Sequence, residues 1–314
     1  MEGPRVRCRP PAKVNLGLRL VGQRPDGYHL LESIFAPIAL FDELVVERLG
    51  AEGGVELELA MPNDADFPPA LAAVTSGPDN LVIRAAEAFR RAAGIEEGLR
   101  ISLEKRIPSG AGLGGGSSDA GAVLSALAQL FGTSSPGREE VFAVALGLGA
   151  DVPYFLAPRP ALVRGIGERI EPLSGLPAFP LVVANAGVSV ATAEVYRIAD
   201  LLPGSLTDTG AGSTMRSFSR LRDQPGDWAS TLGELLVNDL EPAATRLCPP
   251  VGRLLGQMRD AGALGVGLSG SGGTVFGVFS DSGVAERAAE ILRGDSTRGR
   301  DAAWVRETRV LSNF

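Results

Sequence analysis

The chain has 314 residues, enough for two domains, and its 45% hydrophobic and 21% charged residues are ordinary for a folded globular protein. A formal net charge of −7 argues against nucleic acid or an anionic membrane surface as the main partner. The two cysteines predict no disulfide framework, and the absence of a signal-like or membrane-spanning apolar run leads us to expect a cytoplasmic protein.

The beginning of the chain has the pattern of strands joined by tight turns. Over residues 5–50, apolar residues alternate with other residues from 14 to 20, and Pro25-Asp26-Gly27 is a strong turn signal. A further strand begins at 44–46, and the alternation at 55–59 predicts one more.

The next segment changes from loop to helix. Residues 61–80 are rich in Pro, Asp, Asn and Ala and predict a loop. A helix is predicted over 81–93, with Asp79 or Asn80 as its N-cap, and another over 139–148.

The second half predicts a mixture of helices and strands. The Pro-containing residues 157–160 suggest a boundary, and we expect one domain over 1–160 and another over 161–314. Together with the first half, this mixture of helices and antiparallel strands predicts an α+β protein. The elements expected beyond the boundary are a buried strand at 181–184, a polar stretch at 203–230, helical patterns at 232–246 and 251–261, a strand at 274–279 and a helix at 283–293.

The most informative stretch is 108–118, which reads Pro-Ser-Gly-Ala-Gly-Leu-Gly-Gly-Gly-Ser-Ser. It lies between an alternating strand pattern at 99–104 and a helical pattern in which Ser117 or Ser118 is placed to cap the helix. Glycine leaves backbone N–H groups open to a bulky anion, and a helix N-terminus adds a positive dipole. These features predict a phosphate site.

Three kinds of phosphate loop are possible. The run lacks the lysine of the G-x-x-x-x-G-K-[ST] motif. Gly110, Gly112 and Gly115 satisfy G-x-G-x-x-G, yet no acidic residue ends a second strand about 20 residues later, as a dinucleotide fold requires. The run instead resembles the second motif of the GHMP kinases, a family of small-molecule kinases.

Other motifs resemble the same family and occur in its order. They are P-A-K-x-N-L at 11–16, D-G-Y-H at 26–29, L-G-A-D-V-P at 148–153, G-I-G-E at 165–168, V-N-D-L-E-P at 237–242 and L-S-G-S-G at 268–272. This set is similar to the branch that phosphorylates the 2-hydroxyl of a cytidine diphosphate methylerythritol in non-mevalonate isoprenoid biosynthesis. The resemblance implies an ATP-binding and catalytic domain of ribosomal S5 domain 2-like fold over 1–160. It also implies a ferredoxin-like, substrate-side domain over 161–314, with ATP, Mg²⁺ and the substrate in the cleft between them.

Two charged residues are candidates for the chemistry. Phosphoryl transfer to an alcohol needs a base for the hydroxyl proton and a cation for the developing charge. Taken alone, Lys13 would be a solvated strand residue and Asp151 a helix cap or turn residue. The resemblance implies instead that Asp151 is the base and Lys13 its electrostatic partner.

The resemblance also implies the residues that bind the acceptor. Tyr28, His29 and Tyr196 match positions that recognise a cytosine, although a lone histidine is more often a surface or core residue. Asn15 and Thr192 match positions that contact the substrate.

The residues that bind ATP are expected in the glycine run and at Asn80 and Lys105. The simpler interpretation of Asn80 is a helix cap, and that of Lys105 is a solvated strand lysine. The expected ATP-binding residues are Asn80, Lys105, Pro108, Ser109, Gly110, Ala111, Gly112, Leu113, Gly114, Gly115, Gly116, Ser117 and Ser118. The ligands of Mg²⁺ are not identified, since helix capping explains Asp119 as well as metal binding does.

Alternative functions are another GHMP kinase, acting on mevalonate or homoserine, and a dinucleotide-binding oxidoreductase. A non-catalytic binding protein on this fold should lack Lys13 or Asp151, and both are present. We expect a monomer or homodimer that binds a small molecule, and neither nucleic acid nor a membrane.

Overall fold

The computed structural model describes residues 3–61, 67, 71–72, 74–202, 212–223, 228–294 and 302–312. The strands in this part are β1 Arg5–Cys8, β2 Pro11–Gln23, β3 His29–Phe41, β4 Glu43–Glu52, β5 Val55–Ala60, β6 Glu97–Glu104, β7 Ala161–Gly165, β8 Arg169–Pro172, β9 Pro180–Asn185, β10 Gly265–Leu268, β11 Thr274–Val278 and β12 Trp304–Arg309. The helices are α1 Leu81–Ala93, α2 Gly115–Phe131, α3 Arg138–Leu148, α4 Thr192–Ala199, α5 Ser213–Asp223, α6 Trp228–Leu235, α7 Glu241–Leu247, α8 Pro249–Asp260 and α9 Ser282–Gly294. A short 3₁₀ helix covers Pro153–Leu156. The predicted loop at 61–80 and polar stretch at 203–230 lie partly outside the described residues.

Local sequence signals account for several elements. The side chain of Asn80 caps α1 by accepting a hydrogen bond from the Val82 N–H at 2.9 Å. Of the two predicted caps, Asp79 and Asn80, the structure therefore shows Asn80. The apolar residues that alternate along β6 are buried, as the period predicts.

Two of the predicted helices differ from the structure. The helix after the glycine run begins at Gly115 and has Gly114 as its N-cap without a side-chain cap, so neither Ser117 nor Ser118 caps it. The pattern at 232–246 is divided between α6 and α7. Between α6 and α7 the Leu18 N–H donates to Val237 O at 3.0 Å. This part of the chain therefore pairs with β2 and does not continue as a helix.

Three four-stranded sheets, with the orders β1-β4-β6-β5, β2-β3-β7-β8 and β10-β11-β9-β12, organise the described part of the chain. The pairings within them are antiparallel except for β5 with β6. The third sheet has the β-α-β-β-α-β connectivity of a ferredoxin-like unit, with β9 and β11 at its centre. The predicted mixture of helices and antiparallel strands is therefore confirmed.

The second sheet bears on the division of the chain. β7 follows residue 160, and yet it pairs with β3 from Leu31↔Gly165 to Phe35↔Ala161. β8 then pairs with β7. The division into 1–160 and 161–314 stays a prediction, and this pairing leads us to propose a boundary after Pro172.

The two halves share one apolar core. Val14 and Ile34 of the second sheet belong to the same buried cluster as Val183 and Phe276 of the third. Burial of this continuous cluster stabilises the packing of the second sheet against the third. In the described part of the chain, the helices are too short or too polar to cross a membrane.

Candidate active site

The glycine loop is anchored by alternate residues. Ala111 and Leu113 are buried in the core that joins the halves, so the loop also contributes apolar surface. Between them Gly112 has φ +83°, and Gly114 has φ +73°, a conformation that L side chains rarely adopt. The Lys13 N–H donates to Leu113 O at 2.9 Å, which fixes the loop against β2.

The loop leads directly into the N-terminus of α2. No side chain caps this helix and its first turn carries no acidic residue. Backbone N–H groups at the start of a helix have no partner within the helix, and the dipole adds partial positive charge there. This end of α2 is therefore suited to an anionic group such as a phosphate.

Lys13 and Asp151 lie close together in the structure. Lys13 Nζ is 3.6 Å from Asp151 Oδ2 and 4.5 Å from the centre of the Phe35 ring. Burial lowers the pKa of the Lys13 ammonium below its ordinary value, and the charge of Asp151 opposes this effect only in part. Asp151 precedes the 3₁₀ helix at Pro153–Leu156, which places its carboxylate at the cleft.

Asn15 orients the lysine from the same face of β2. Lys13 Nζ donates to Asn15 Oδ1 at 2.7 Å, and Asn15 Nδ2 donates to Ser33 Oγ at 2.9 Å. Ser33 Oγ in turn donates to the Gly17 carbonyl at 2.6 Å. This chain of hydrogen bonds fixes both polar side chains, and the role of Ser33 in it was not predicted from the sequence.

A second glycine-containing loop, residues 269–272, closes the cleft from the other half. Ser269 Oγ donates to Gly112 O at 2.9 Å. A Cβ at Gly272 would lie 2.5 Å from the Ala111 carbonyl, so only glycine allows the two loops to approach this closely. The contact places Gly270 and Ser271 in the cleft wall.

Asn238 holds this second loop, a role that was not predicted. Its Nδ2 donates to Leu268 O at 2.9 Å and to Gly270 O at 2.8 Å, and its Oδ1 accepts from the Leu240 N–H. The neighbouring Asp239 accepts from the Leu20 N–H at 2.9 Å, so the segment binds β2 on one side and the loop on the other. The V-N-D-L-E-P motif marks this segment in the sequence, but no role was predicted from the sequence for its individual residues.

These elements enclose a cleft of about 440 Å³. The predicted site residues that line it are Lys13, Asn15, Pro108, Ser109, Gly110, Ala111, Gly112, Gly114, Gly115, Gly116, Ser117, Asp151, Thr192 and Tyr196. Leu18, Leu31, Phe35 and Ile166 add apolar surface that was not predicted.

Four of the residues predicted to bind ATP do not line the cleft. Leu113 points into the core, and Ser118 Oγ donates to the Pro11 carbonyl at 2.7 Å beneath the loop. Asn80 uses its side chain as the cap of α1 and as a donor to Thr75 O.

Lys105 is the fourth, and it is buried away from the cleft. Its ammonium forms ion pairs with Asp42 and, at 2.7 Å, with Asp119. Burial lowers the pKa of Lys105, but the charges of the two carboxylates outweigh it and the net direction is upward. Lys105 therefore supports the fold beneath the glycine loop.

The residues predicted to bind the cytosine ring lie in two places: His29 and Tyr196 are packed together, and Tyr28 lies near Arg24. The ring centres of His29 and Tyr196 lie 4.9 Å apart with a tilt of 32°. Burial, and to a smaller degree the charge of Asp151, raises the pKa of Tyr196 to about 12, so its hydroxyl stays neutral. Tyr28 is 63% exposed and lies 6.0 Å from the Arg24 guanidinium. Thr192 Oγ1 is 2.8 Å from Ser271 Oγ.

The donor set of the cleft limits how a magnesium ion would be held. Among the described residues there is no group of three or more His, Cys, Asp or Glu side chains placed for a metal. Asp151 is the acidic residue among those that line the cleft, and Ser117 adds a hydroxyl. Asp119 is committed to Lys105, and burial raises its pKa well above the ordinary value. These donors fit a magnesium ion whose remaining ligands are phosphate oxygens and water.

Comparisons with known proteins identify the family of this chain. The GHMP kinases N terminal domain matches residues 80–158, and the GHMP kinases C terminal domain matches residues 222–295. The chain is 43% identical to the 4-diphosphocytidyl-2-C-methyl-D-erythritol kinase of Thermus thermophilus, over 90% of this chain and 91% of that protein. It is 40% identical to the enzyme of the same name from Ruegeria pomeroyi, over 96% of this chain and 98% of that one.

Solved structures give the same result. A crystal structure of 4-(cytidine 5'-diphospho)-2C-methyl-D-erythritol kinase has a TM-score of 0.74 and 40% identity, and the match covers 97% of this chain and 99% of that one. The mevalonate kinase of L. major has a TM-score of 0.70 at 20% identity, with 99% and 98% covered, and so shows the shared fold alone. The predicted GHMP kinase fold is confirmed, and the chain belongs to the GHMP kinase family, in the branch of the 4-diphosphocytidyl-2-C-methyl-D-erythritol kinases.

Proposed function

We propose that this ATP-dependent small-molecule kinase transfers the γ-phosphoryl group of ATP to the 2-hydroxyl of 4-diphosphocytidyl-2-C-methyl-D-erythritol, a step of non-mevalonate isoprenoid precursor biosynthesis. The observation that carries the proposal is the ion pair of Lys13 and Asp151, 3.6 Å apart, in the cleft onto which the N-terminus of α2 opens. Relatives at about 40% identity over almost the whole chain carry the name of this activity.

Asp151 is the proposed base. Its carboxylate is partly exposed to the cleft, so it can reach a substrate hydroxyl and accept its proton as the oxygen attacks phosphorus. Lys13 is the proposed electrostatic partner, because its buried ammonium can offset the negative charge that develops on the attacking oxygen and the transferred group. Asn15 keeps that ammonium in place through its 2.7 Å hydrogen bond.

The glycine loop is proposed to hold the donor. Free N–H groups at the start of α2 would bind the phosphates of ATP, which GHMP kinases use as phosphate donor. Magnesium would reduce the negative charge of these phosphates, and Ser117 is the residue proposed to contact it. Because the loop at 269–272 is hydrogen-bonded to the glycine loop, both halves contribute to the site.

The acceptor is proposed to lie on the side of His29 and Tyr196. A cytosine can stack on the tyrosine ring while the imidazole binds its polar edge. Thr192 and the exposed Tyr28 are proposed to contribute further contacts to this substrate.

A panel of acceptors tests the assignment. The purified chain is given ATP and Mg²⁺ with 4-diphosphocytidyl-2-C-methyl-D-erythritol, mevalonate or homoserine, and ADP release is followed. We expect turnover of the cytidine compound alone, since the other two contain no base to stack. Turnover of mevalonate or homoserine without turnover of the cytidine compound would overturn the proposal.

A further inference from the structure

Asp200 lies at the C-terminal end of α4 and contacts His29 across the two halves of the chain. Asp200 Oδ1 is 2.7 Å from His29 Nε2. The residue follows Tyr196 by four positions, and Tyr196 follows Thr192 by four, so the three share one face of the helix. This face looks towards the cleft, since Thr192 and Tyr196 both line it.

A carboxylate is electrostatically disfavoured at this end of a helix, where the dipole is negative. The side chain of His29 is almost fully buried against Tyr196 and supplies the compensating partner. His29 is the only histidine in the sequence.

The contact determines which imidazole nitrogen carries hydrogen. An ionised carboxylate only accepts hydrogen bonds, so Nε2 must be the N–H that donates to Asp200. In the neutral ring Nδ1 is then a bare acceptor. Within the described part of the chain, no side chain or backbone group forms a hydrogen bond with Nδ1.

We propose that Asp200 is a positioning and specificity residue that fixes His29 in the Nε2–H tautomer, so that Nδ1 accepts a hydrogen bond from the 4-amino group of a cytosine. A uracil presents a carbonyl oxygen at that position, and two acceptors would then face each other. This inference rests on the proposed function, because it deepens the account of the same acceptor site.

The first test uses the free protein. Because the chain contains one histidine, ring ¹⁵N shifts in two-dimensional NMR near pH 8 report its tautomer without ambiguity. We expect the Nε2–H tautomer in the wild type and a mixture of both tautomers in Asp200→Ala. The Nδ1–H tautomer or an imidazolium in the wild type would overturn the proposal.

The second test measures selectivity without turnover. Calorimetric titration with CDP and with UDP gives the ratio of their affinities, which should favour CDP in the wild type. In Asp200→Ala we expect this ratio to fall by about tenfold, the loss of one hydrogen bond to a neutral group. Asp200→Asn should lie between the two, because an amide can accept from Nε2–H or donate to a bare Nε2. An unchanged ratio in Asp200→Ala, or no preference for CDP in the wild type, would contradict the proposal.

Kinetics separate this proposal from the proposed function. With the cytidine substrate, Asp200→Ala should raise KM and leave kcat nearly unchanged, whereas a general loss of structure would lower kcat. Glu194→Gln is the matched control, since Glu194 lies on the same helix, is exposed and pairs with Arg197 at 2.8 Å. No turnover together with the expected tautomer and CDP preference would contradict the proposed function and leave the role of Asp200 intact.

Discussion

Lys13 and Lys105 are both buried, at 3% and 2% exposure, and they lie beside neighbouring residues of the same glycine loop. A Cβ at Gly114 would lie 3.3 Å from Lys13 Cγ, and one at Gly115 would lie 3.3 Å from Lys105 Nζ. Their surroundings differ in charge. Lys13 has one partly exposed carboxylate at 3.6 Å, whereas Lys105 lies between two buried ones.

This difference separates a lysine that can act on a ligand from one that supports the fold. Burial lowers the pKa of Lys13, while the two carboxylates raise that of Lys105. The ammonium of Lys105 thus already has ionic partners within the protein. The ammonium of Lys13 remains available to an added negative charge, such as a phosphoryl group in transfer.

The largest expected effect is on catalysis at Lys13. Replacing it by methionine removes the cation beside Asp151, and we expect kcat to fall by about 10²–10⁴-fold. The free energy of unfolding should change little, because the desolvation cost of the ammonium is removed as well. Measurement of kcat at saturating ATP, with urea unfolding of the same sample, checks both. A kcat close to that of the wild type would exclude Lys13 from the chemistry.

The same substitution at Lys105 should act mainly on stability. Lys105→Met leaves Asp42 and Asp119 without their cation in the interior, which should cost about 3–5 kcal/mol in the free energy of unfolding. Urea unfolding measures the loss, and adding Asp119→Asn to Lys105→Met should recover part of it. Unchanged stability with a lower kcat would instead place Lys105 at the cleft.

The smallest effect expected is on the pH dependence of activity. Because burial lowers the pKa of Lys13, its ammonium should lose the proton as the pH rises, at a midpoint below the ordinary value of 10.5. The profile of kcat/KM should therefore fall on its alkaline side within that range. In Lys13→Arg the guanidinium stays charged, so any residual activity should lack this decline. A wild-type profile that is flat up to 10.5 would contradict the assignment.

The sequence predicts best where a signal and its effect lie within a few residues. The cap at Asn80 and the alternation in β6 depend on their own neighbours, and both appear as expected. The start of α2 does not follow this pattern. Its serines look like caps, but the Ser118 hydroxyl donates to the carbonyl of Pro11, which lies 107 positions earlier in the chain.

The candidate site shows the same limit. The resemblance brings Lys13, Asp151 and the glycine run into one motif set, and the structure places them together. Nothing in the local pattern around Lys105 reveals Asp42, the partner that removes it from the cleft. The role of Asn238 is likewise visible only once β2 and the loop at 269–272 lie on either side of it.

The contact between the two glycine loops has a consequence for biosynthesis of the chain. Lys13 and the glycine loop emerge from the ribosome before the loop at 269–272, because they precede it in the sequence. In a nascent chain the glycine loop is therefore present before Ser269 can donate its hydrogen bond to the Gly112 carbonyl. The complete cleft forms only after this loop has been synthesised, so a chain that terminates before it would lack the part of the cleft wall formed by Gly270 and Ser271.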